Sequence, residues 1–109
     1  MVELFCQHND DPTAVTERFA KGTGGLHHMA CIVPRLHGAL AVAESMGLEI
    51  AQRANAGQTI FLFIDDVARH GHYWELYESS PGLLAFYEMV RTAHETWDGS
   101  DPVRDITKR

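Results

Sequence analysis

One stretch decides the fold: Gly24-Gly25-Leu26-His27-His28-Met29-Ala30-Cys31-Ile32-Val33-Pro34. A glycine pair interrupts the chain, an apolar run containing two adjacent histidines follows, and a proline ends the run. Such a run between turn residues predicts a β-strand over residues 26–33. Because side chains alternate across a strand, His28 is expected to share one face with Ala30 and Ile32, while His27 faces the other side.

The residues after Pro34 complete a strand–helix–strand–strand–strand unit. Apolar residues recur at helical spacing from Leu36 to Met46, and Gly47 stands where a helix C-cap belongs. Alternating or continuous apolar runs between turn residues predict the later strands. The predicted elements are a strand over 48–54, a turn at Asn55-Ala56-Gly57, strands over 59–64 and 72–78 with a loop over 65–71 between them, and a closing helix over 83–96.

The residues before Gly24 have a different organisation. A short strand is predicted over 2–6, and Asp11 and Pro12 suit the cap and first position of a helix over 13–20. The run Met1-Val2-Glu3-Leu4-Phe5 is similar to Tyr73-Trp74-Glu75-Leu76-Tyr77, which suggests one strand used twice. We therefore expect residues 1–22 to be the terminal strand and linker helix of a preceding module, 24–98 a second module with its C-terminal helix, and 99–109 a polar tail.

Composition excludes several classes of partner. The chain has 109 residues, and nine basic against fifteen acidic residues give a net charge of -6. Nucleic acids and anionic membrane surfaces both require a basic footprint, so neither is an expected partner. No apolar run approaches the roughly 20 residues of a membrane span. Two cysteines do not make a disulfide framework, and we expect a cytoplasmic protein.

Glu75 is the clearest chemical signal. It lies within an apolar, aromatic strand, where an ionised carboxylate is costly to bury without a cation or hydrogen bonds. Glu3 has the same setting, and His28 would be a second donor if the first and last strands of the unit were neighbours. The alternative is that these side chains lie on a solvated face of the sheet. His70 and His72 bracket Gly71 and could line a pocket together.

The three runs Val2-Glu3-Leu4-Phe5, Gly24-Gly25-Leu26-His27-His28-Met29-Ala30 and Gly71-His72-Tyr73-Trp74-Glu75-Leu76-Tyr77 together resemble the vicinal oxygen chelate superfamily. That group includes glyoxalase I, methylmalonyl-CoA epimerase, extradiol dioxygenases and bleomycin-resistance proteins. The likeness is to the C-terminal module of a two-module glyoxalase-like protein. It implies an α+β fold: a βαβββ module with a mixed curved sheet, preceded by one extra strand and a short helix and followed by a C-terminal helix.

The resemblance also implies a site. Matched by motif, the ligands of a divalent ion (Zn, Ni, Co, Mn or Fe) are His28, Glu75 and Glu3, and Glu75 is in addition the catalytic residue. The strand that carries the family's fourth ligand has no counterpart in this sequence. The substrate pocket implied by the likeness includes Tyr73, Tyr77, Phe63 and His72. A homodimer could complete the sheet and the cavity, because an unpaired strand edge favours association.

Three functions remain open at this stage. The first is a metal-dependent lyase, isomerase or epimerase that acts on vicinal oxygens of a small-molecule substrate. The second is a metal-free small-molecule-binding module of the bleomycin-resistance type. The third is a half-site that is inactive alone. An extradiol dioxygenase ranks lower, because His72 and Glu75 face opposite sides of a regular strand.

Overall fold

The computed structural model describes residues 1–108 and has the α+β fold class that the sequence predicts. The order strand, helix, three strands and C-terminal helix is confirmed. In chain order the elements are α1 (Ala14–Arg18), β1 (His28–Val33), α2 (Leu36–Ser45), β2 (Glu49–Ala56), β3 (Thr59–Asp65), α3 (Val67–His70), β4 (Tyr73–Glu78), α4 (Pro81–Glu95) and a 3₁₀ turn (Ile106–Lys108). Arg109, the last residue of the predicted tail, lies outside the described residues.

The strands form one mixed sheet in the order β1-β4-β3-β2. β2 and β3 make an antiparallel hairpin with Ala56 opposite Thr59, and its short turn begins at Gly57, where φ is +60°. A glycine at this first turn position suits the tight turns whose twist matches two adjacent strands. β4 then enters between β3 and β1, antiparallel to β3 and parallel to β1. The first and last strands of the unit are therefore neighbours.

The register divides the sheet into two faces. α2 covers one of them, the helix face, where the buried side chains of Leu62 and Ile64 pack against Ala43. Leu62 and Ile64 are only 1% and 2% exposed, so each contributes about 1.5–3 kcal/mol of burial energy. The opposite side, the site face, presents His28, Ala30 and Ile32 of β1, Phe61 and Phe63 of β3, and Tyr73, Glu75 and Tyr77 of β4.

The strand predicted over residues 2–6 is not formed in the described chain. Val2 and Leu4 are 86% and 94% exposed, so the alternating pattern buries neither face of this segment. A strand needs a neighbouring strand to satisfy its backbone N–H and C=O groups. The alternation of side chains predicts which face a strand would bury, but it does not supply that neighbour.

The helix that follows is shorter than predicted and begins later. Its cap is Thr13 instead of Asp11: the Thr13 side chain accepts hydrogen bonds from the backbone N–H groups of Val15 and Thr16. In return, the Thr13 N–H donates to the Thr16 hydroxyl over 2.9 Å. This reciprocal arrangement satisfies N–H groups that the first turn leaves open. The first residue of the helix, Ala14, packs on Phe63 and Tyr73 of the site face.

A one-turn helix, α3, replaces most of the loop predicted over 65–71, and Gly71 ends it with φ at +79°. Asp66 precedes α3 and is 3% exposed. Its Oδ2 accepts hydrogen bonds from Trp74 Nε1 at 2.9 Å and from His70 Nδ1 at 2.5 Å. Burial raises the pKa of Asp66, but the bonds from Trp74 and His70 outweigh it, and the net pKa is below the usual value. Asp66 therefore ties α3 to β4, the strand that carries Glu75.

The described chain separates into two units. Leu4–Ser80 contains the sheet and the first three helices, and Met1–Glu3 groups with the residues from Pro81 onward. Within α4, Arg91 forms ion pairs with Glu88 and Glu95, which lie one turn to either side. None of the helices within residues 1–108 has the length and apolar character that crossing a membrane would require. The predicted module boundaries at residues 22 and 98 stay a prediction.

We predict that Asp66→Ala lowers the free energy of unfolding at pH 7 by about 1–3 kcal/mol, because Trp74 Nε1 loses its buried acceptor. Urea denaturation followed by tryptophan fluorescence measures the change. The matched control is Asp10→Ala, which removes an exposed ion pair with Lys21 and should change stability far less.

The effect of Asp66→Ala on stability should depend on pH. Because the pKa of Asp66 is lower in the folded state, its ionised form stabilises the fold above the usual carboxyl value of about 4. That contribution is lost as the pH falls through the lower, folded-state value. The stability difference between wild type and Asp66→Ala should therefore shrink as the pH is lowered below about 4. A difference that stays constant or grows on acidification would contradict the assignment.

Candidate metal site

The parallel pairing of β1 with β4 brings His28 and Glu75 together. In this register His28 lies opposite Tyr73, and Ala30 lies opposite Glu75. The two residues of a pair point to the same side of a sheet, and successive pairs alternate between the two sides. His28 and Glu75 belong to pairs with one pair between them, so both side chains lie on the site face. Ala30, whose side chain is a single methyl group, lies directly beside Glu75 in this register.

The two side chains meet at their polar ends. His28 Nε2 lies 3.2 Å from Glu75 Oε2, and the side chains are only 10% and 17% exposed. Phe63 lies opposite Glu75 on β3, and its ring is 5.0 Å from the His28 ring. A carboxylate among such neighbours is costly to bury unless a positive group or hydrogen bonds stabilise it. His28 is the partner on β1 that meets this need, either as an imidazolium or as a second ligand of a bound cation.

The donor set fits a divalent transition metal. Imidazole nitrogen and carboxylate oxygen bind zinc at about 2.0–2.2 Å, so two ligands in one coordination shell lie about 3–3.5 Å apart. The observed separation of 3.2 Å has this spacing. Nitrogen together with oxygen suits zinc, nickel, cobalt, manganese and iron better than calcium or magnesium, which prefer oxygen alone. His28 and Glu75 are therefore suited to hold such an ion.

His27 does not face away from the site, as strand alternation predicts. β1 begins only at His28, so the alternation of the strand does not extend to His27. His27 Nδ1 lies 2.9 Å from His28 Nδ1, and His27 Nε2 lies 3.1 Å from the carbonyl oxygen of Ala14. Its ring is 6% exposed and makes edge contacts with Phe63 and Tyr73. Burial lowers the pKa of His27 below its usual value, although the bond to Ala14 opposes the shift.

The predicted pocket residues divide between the two faces of the sheet. Phe63, Tyr73 and Tyr77 lie on the site face with Glu75 and are 7%, 3% and 5% exposed. Burial raises the pKa of the Tyr73 hydroxyl, so it is neutral at physiological pH. His72 immediately precedes β4, where its Nδ1 hydrogen-bonds the Tyr73 carbonyl at 2.7 Å and its ring contacts Trp74 of the helix face. A pocket role for these residues stays a prediction.

Glu3, the third predicted ligand, is exposed and lies outside helix and strand. It groups with the unit that contains α4, whereas His28 and Glu75 belong to the sheet unit. The sheet unit begins with the next residue, Leu4, and the ring of Phe5 lies 5.8 Å from the His28 ring. The assignment of Glu3 as a ligand stays a prediction.

Two features of this region are not evident from the sequence pattern. The contact between His27 and His28 depends on the strand beginning at His28, two residues later than the apolar run predicts. The buried role of Asp66 depends on a short helix that brings His70 back to it. The spacing of four residues between Asp66 and His70 is the one local signal for that pair, since it places two side chains on the same helical face.

Comparison with known proteins adds no assignment: no protein-family model, no curated protein and no solved structure matches this chain.

Proposed function

We propose that this protein is a divalent-metal-dependent enzyme of the glyoxalase-like type, a lyase, isomerase or epimerase acting on a small molecule with two adjacent oxygens. The observation that carries the proposal is the largely buried pair of His28 Nε2 and Glu75 Oε2, 3.2 Å apart on neighbouring parallel strands. The strand order supports it as well, because the ligand strands are the first and the last of the βαβββ unit.

His28 and Glu75 would hold the ion, and the motif resemblance adds Glu3 as a third ligand. Glu3 is a carboxylate like Glu75 and is joined through Leu4 to Phe5, whose ring contacts His28. The chain's contribution of one nitrogen and two carboxylate oxygens would leave positions open for water or substrate, as catalytic metal sites require. When bound, the ion supplies Lewis-acid stabilisation of negative charge on the substrate oxygens.

The residues of the chain supply the remaining chemistry. Glu75 is assigned as the general base, which would accept a proton from a carbon next to the substrate oxygens. Its position opposite Phe63 limits access of water to that carboxylate. Phe63, Tyr73 and Tyr77 lie on the same face of the sheet as Glu75, and the motif resemblance assigns them to the substrate pocket.

A metal-free binding module is the alternative, and one observation favours it. The 3.2 Å between His28 Nε2 and Glu75 Oε2 is also the separation of an ordinary ion pair, which needs no metal. In that case the His28–Glu75 pair would serve as an ion pair that stabilises the fold. The presence or absence of stoichiometric metal in the protein distinguishes the two functions.

We predict that protein purified without a histidine tag and dialysed free of metal binds Zn²⁺ or Ni²⁺ stoichiometrically in a calorimetric titration. His28→Gln and Glu75→Gln should each weaken binding by more than about tenfold, because each removes a ligand. Glu3→Gln should weaken it as well. His37→Gln is the control, because His37 is exposed on α2 and not part of the site.

Elemental analysis of the protein as purified accompanies the titration. Absence of stoichiometric metal together with no binding in the titration would exclude the enzyme and favour the binding module. Binding that survives both His28→Gln and Glu75→Gln would show that the ion lies elsewhere. An effect of these two variants with none from Glu3→Gln would remove Glu3 alone from the ligand set.

We also propose that two copies of this chain associate along β1. β1 and β2 are the outer strands of the sheet, and an open edge offers unpaired backbone groups to another strand. On β1, Met29 and Ile32 are 48% and 46% exposed, one on each face of the sheet. Pairing of two identical edges about a two-fold axis would cover both side chains and extend the sheet.

The solution mass tests this association. Light scattering after gel filtration should give twice the 12.2 kDa of one chain. Ile32→Glu should shift the mass to that of a monomer, because it places a charge at the proposed contact. Val42→Glu, which alters an exposed apolar residue on α2, should leave the dimer intact. A wild-type monomer at high micromolar concentration would contradict the proposal.

A further inference from the structure

His70 and His72 form a second pair of neighbouring imidazoles, apart from the site face. The two residues flank Gly71, whose φ of +79° ends α3 and turns the chain toward β4. Their ring centres lie 6.3 Å apart. Two imidazoles that bind one ion at the zinc–nitrogen distance of about 2.0–2.1 Å have ring centres about 5–6.5 Å apart, so these two rings are close enough to share an ion.

The Nδ1 atom of each ring already has a hydrogen-bond acceptor. His70 Nδ1 donates to Asp66 Oδ2 over 2.5 Å, and His72 Nδ1 donates to the Tyr73 carbonyl oxygen over 2.7 Å. Histidine ligands usually have this arrangement, in which one ring nitrogen binds the metal and the other donates to a carboxylate or a backbone carbonyl. Nε2 is therefore the nitrogen that each ring can offer to an ion.

The pair is open to solvent. The His70 side chain is 54% exposed. His72 is only 8% exposed as a residue, but its Nε2 makes no hydrogen bond within residues 1–108. In that part of the chain, the side-chain polar atoms that are buried without a partner are Arg18 Nε and Asp66 Oδ1. His72 Nε2 is not one of them, so an ion from solution can reach it.

Trp74 packs against both rings. Its ring centre lies 4.9 Å from that of His72 and 6.1 Å from that of His70. Its Nε1 donates to Asp66 Oδ2, the same oxygen that accepts from His70. The two imidazoles are therefore held close together before any ion arrives, which lowers the entropic cost of binding one.

Asp66 supplies a negative charge that favours a cation at this position. It is 3% exposed, and its second oxygen, Oδ1, is buried without a hydrogen-bond partner in the described chain. A buried carboxylate that is incompletely hydrogen-bonded is stabilised by positive charge nearby. An ion on His70 Nε2 provides such charge on the far side of the ring that Asp66 binds, and the carboxylate in turn makes that ring a stronger ligand.

We infer that His70 and His72 form a second metal site, a two-histidine chelate for a late first-row transition metal ion, in which Asp66 orients His70. Imidazole nitrogen suits copper, nickel and zinc, and Cu²⁺ binds most tightly in this series, so Cu²⁺ should have the highest affinity. The inference does not rest on the proposed function, because the His72 ring lies against Trp74 of the helix face and Glu75 lies on the site face.

Quenching of Trp74 fluorescence by Cu²⁺ tests the inference, because a paramagnetic ion bound to the two rings lies close to the indole they contact. The titration uses the Cys6→Ser/Trp97→Phe protein, which keeps Trp74 as its one tryptophan and lacks an exposed thiol that would react with Cu²⁺. Above about pH 7, where an ordinary histidine is neutral, one equivalent of Cu²⁺ should quench the fluorescence saturably. No quenching at several equivalents would overturn the inference.

Single substitutions in the same protein identify the ligands. His70→Gln and His72→Gln should each weaken Cu²⁺ binding by more than about tenfold, because each turns a chelate into a single-histidine site. His37→Gln, which replaces an exposed histidine on α2, should leave the affinity unchanged. A loss from only one of the two ligand variants would overturn the chelate. If His72→Gln does not fold, the exposed His70→Gln and the resonance spectrum described below still decide the matter.

Electron paramagnetic resonance of the Cu²⁺-loaded protein counts the ligands directly. The spectrum should show coupling to two imidazole nitrogens, and to one in His70→Gln. Coupling to a single nitrogen before any substitution would overturn the two-histidine site.

His28→Gln separates this site from the one on the site face. Cu²⁺ should still quench Trp74 in that variant, and loss of the quenching would overturn the inference by assigning the copper to the site face. If the wild type binds no Zn²⁺ at His28 and Glu75, the proposed function fails while the copper titration still stands.

Asp66→Asn tests the orienting role of the carboxylate. The amide keeps an oxygen that can accept from Trp74, but it lacks the charge that strengthens His70 as a ligand. Cu²⁺ binding should weaken by about 10–100-fold, the usual effect of losing the partner that orients a histidine ligand. An unchanged affinity would overturn the role of Asp66.

Discussion

The parallel pairing of β1 with β4 is the constraint on which the site depends. β4 lies between β3 and β1, and this arrangement requires the chain to leave β1 through α2 and return through the β2–β3 hairpin. Parallel neighbouring strands cannot be joined by a tight turn, so this pairing requires a long crossover connection between β1 and β4. With Ala30 opposite Glu75, the register puts an imidazole and a carboxylate from opposite ends of the module on one face.

The surrounding structure holds this pair in place from several directions. On the helix face, Leu62 and Ile64 secure the central strand against α2. At the start of β4, buried Asp66 binds both Trp74 and His70. On the site face, α1 reaches His28 through Ala14 and His27. The two proposed ligands thus lie on strands whose positions are supported by burial and by these hydrogen bonds, which is the support that a pre-organised site needs.

The extent to which the sequence predicts this structure varies with the kind of signal. The helical spacing after Pro34 and the apolar runs near Thr59 and Tyr73 predict α2, β3 and β4 well, because burial on one or both faces produces those patterns. The run at Val2 has a strand pattern as well, yet it forms no strand in the described chain, because a pattern does not specify a partner. Alternation predicts the wrong side for His27, because β1 begins at His28 and the alternation does not extend to the residue before it. The strand order brings His28 and Glu75 to the same face of the sheet. The motif resemblance predicts that the two strands are neighbours, whereas the periodicity of each strand alone does not.

The central claim is that His28 and Glu75 bind one ion in the same coordination shell. X-ray absorption spectroscopy of Zn²⁺-loaded protein measures that shell directly. The wild-type spectrum should show zinc with an imidazole nitrogen and carboxylate oxygens at about 2.0–2.2 Å. The imidazole contribution should be lost in His28→Gln. A zinc shell without imidazole, or one that is unchanged when His28 is replaced, would contradict it.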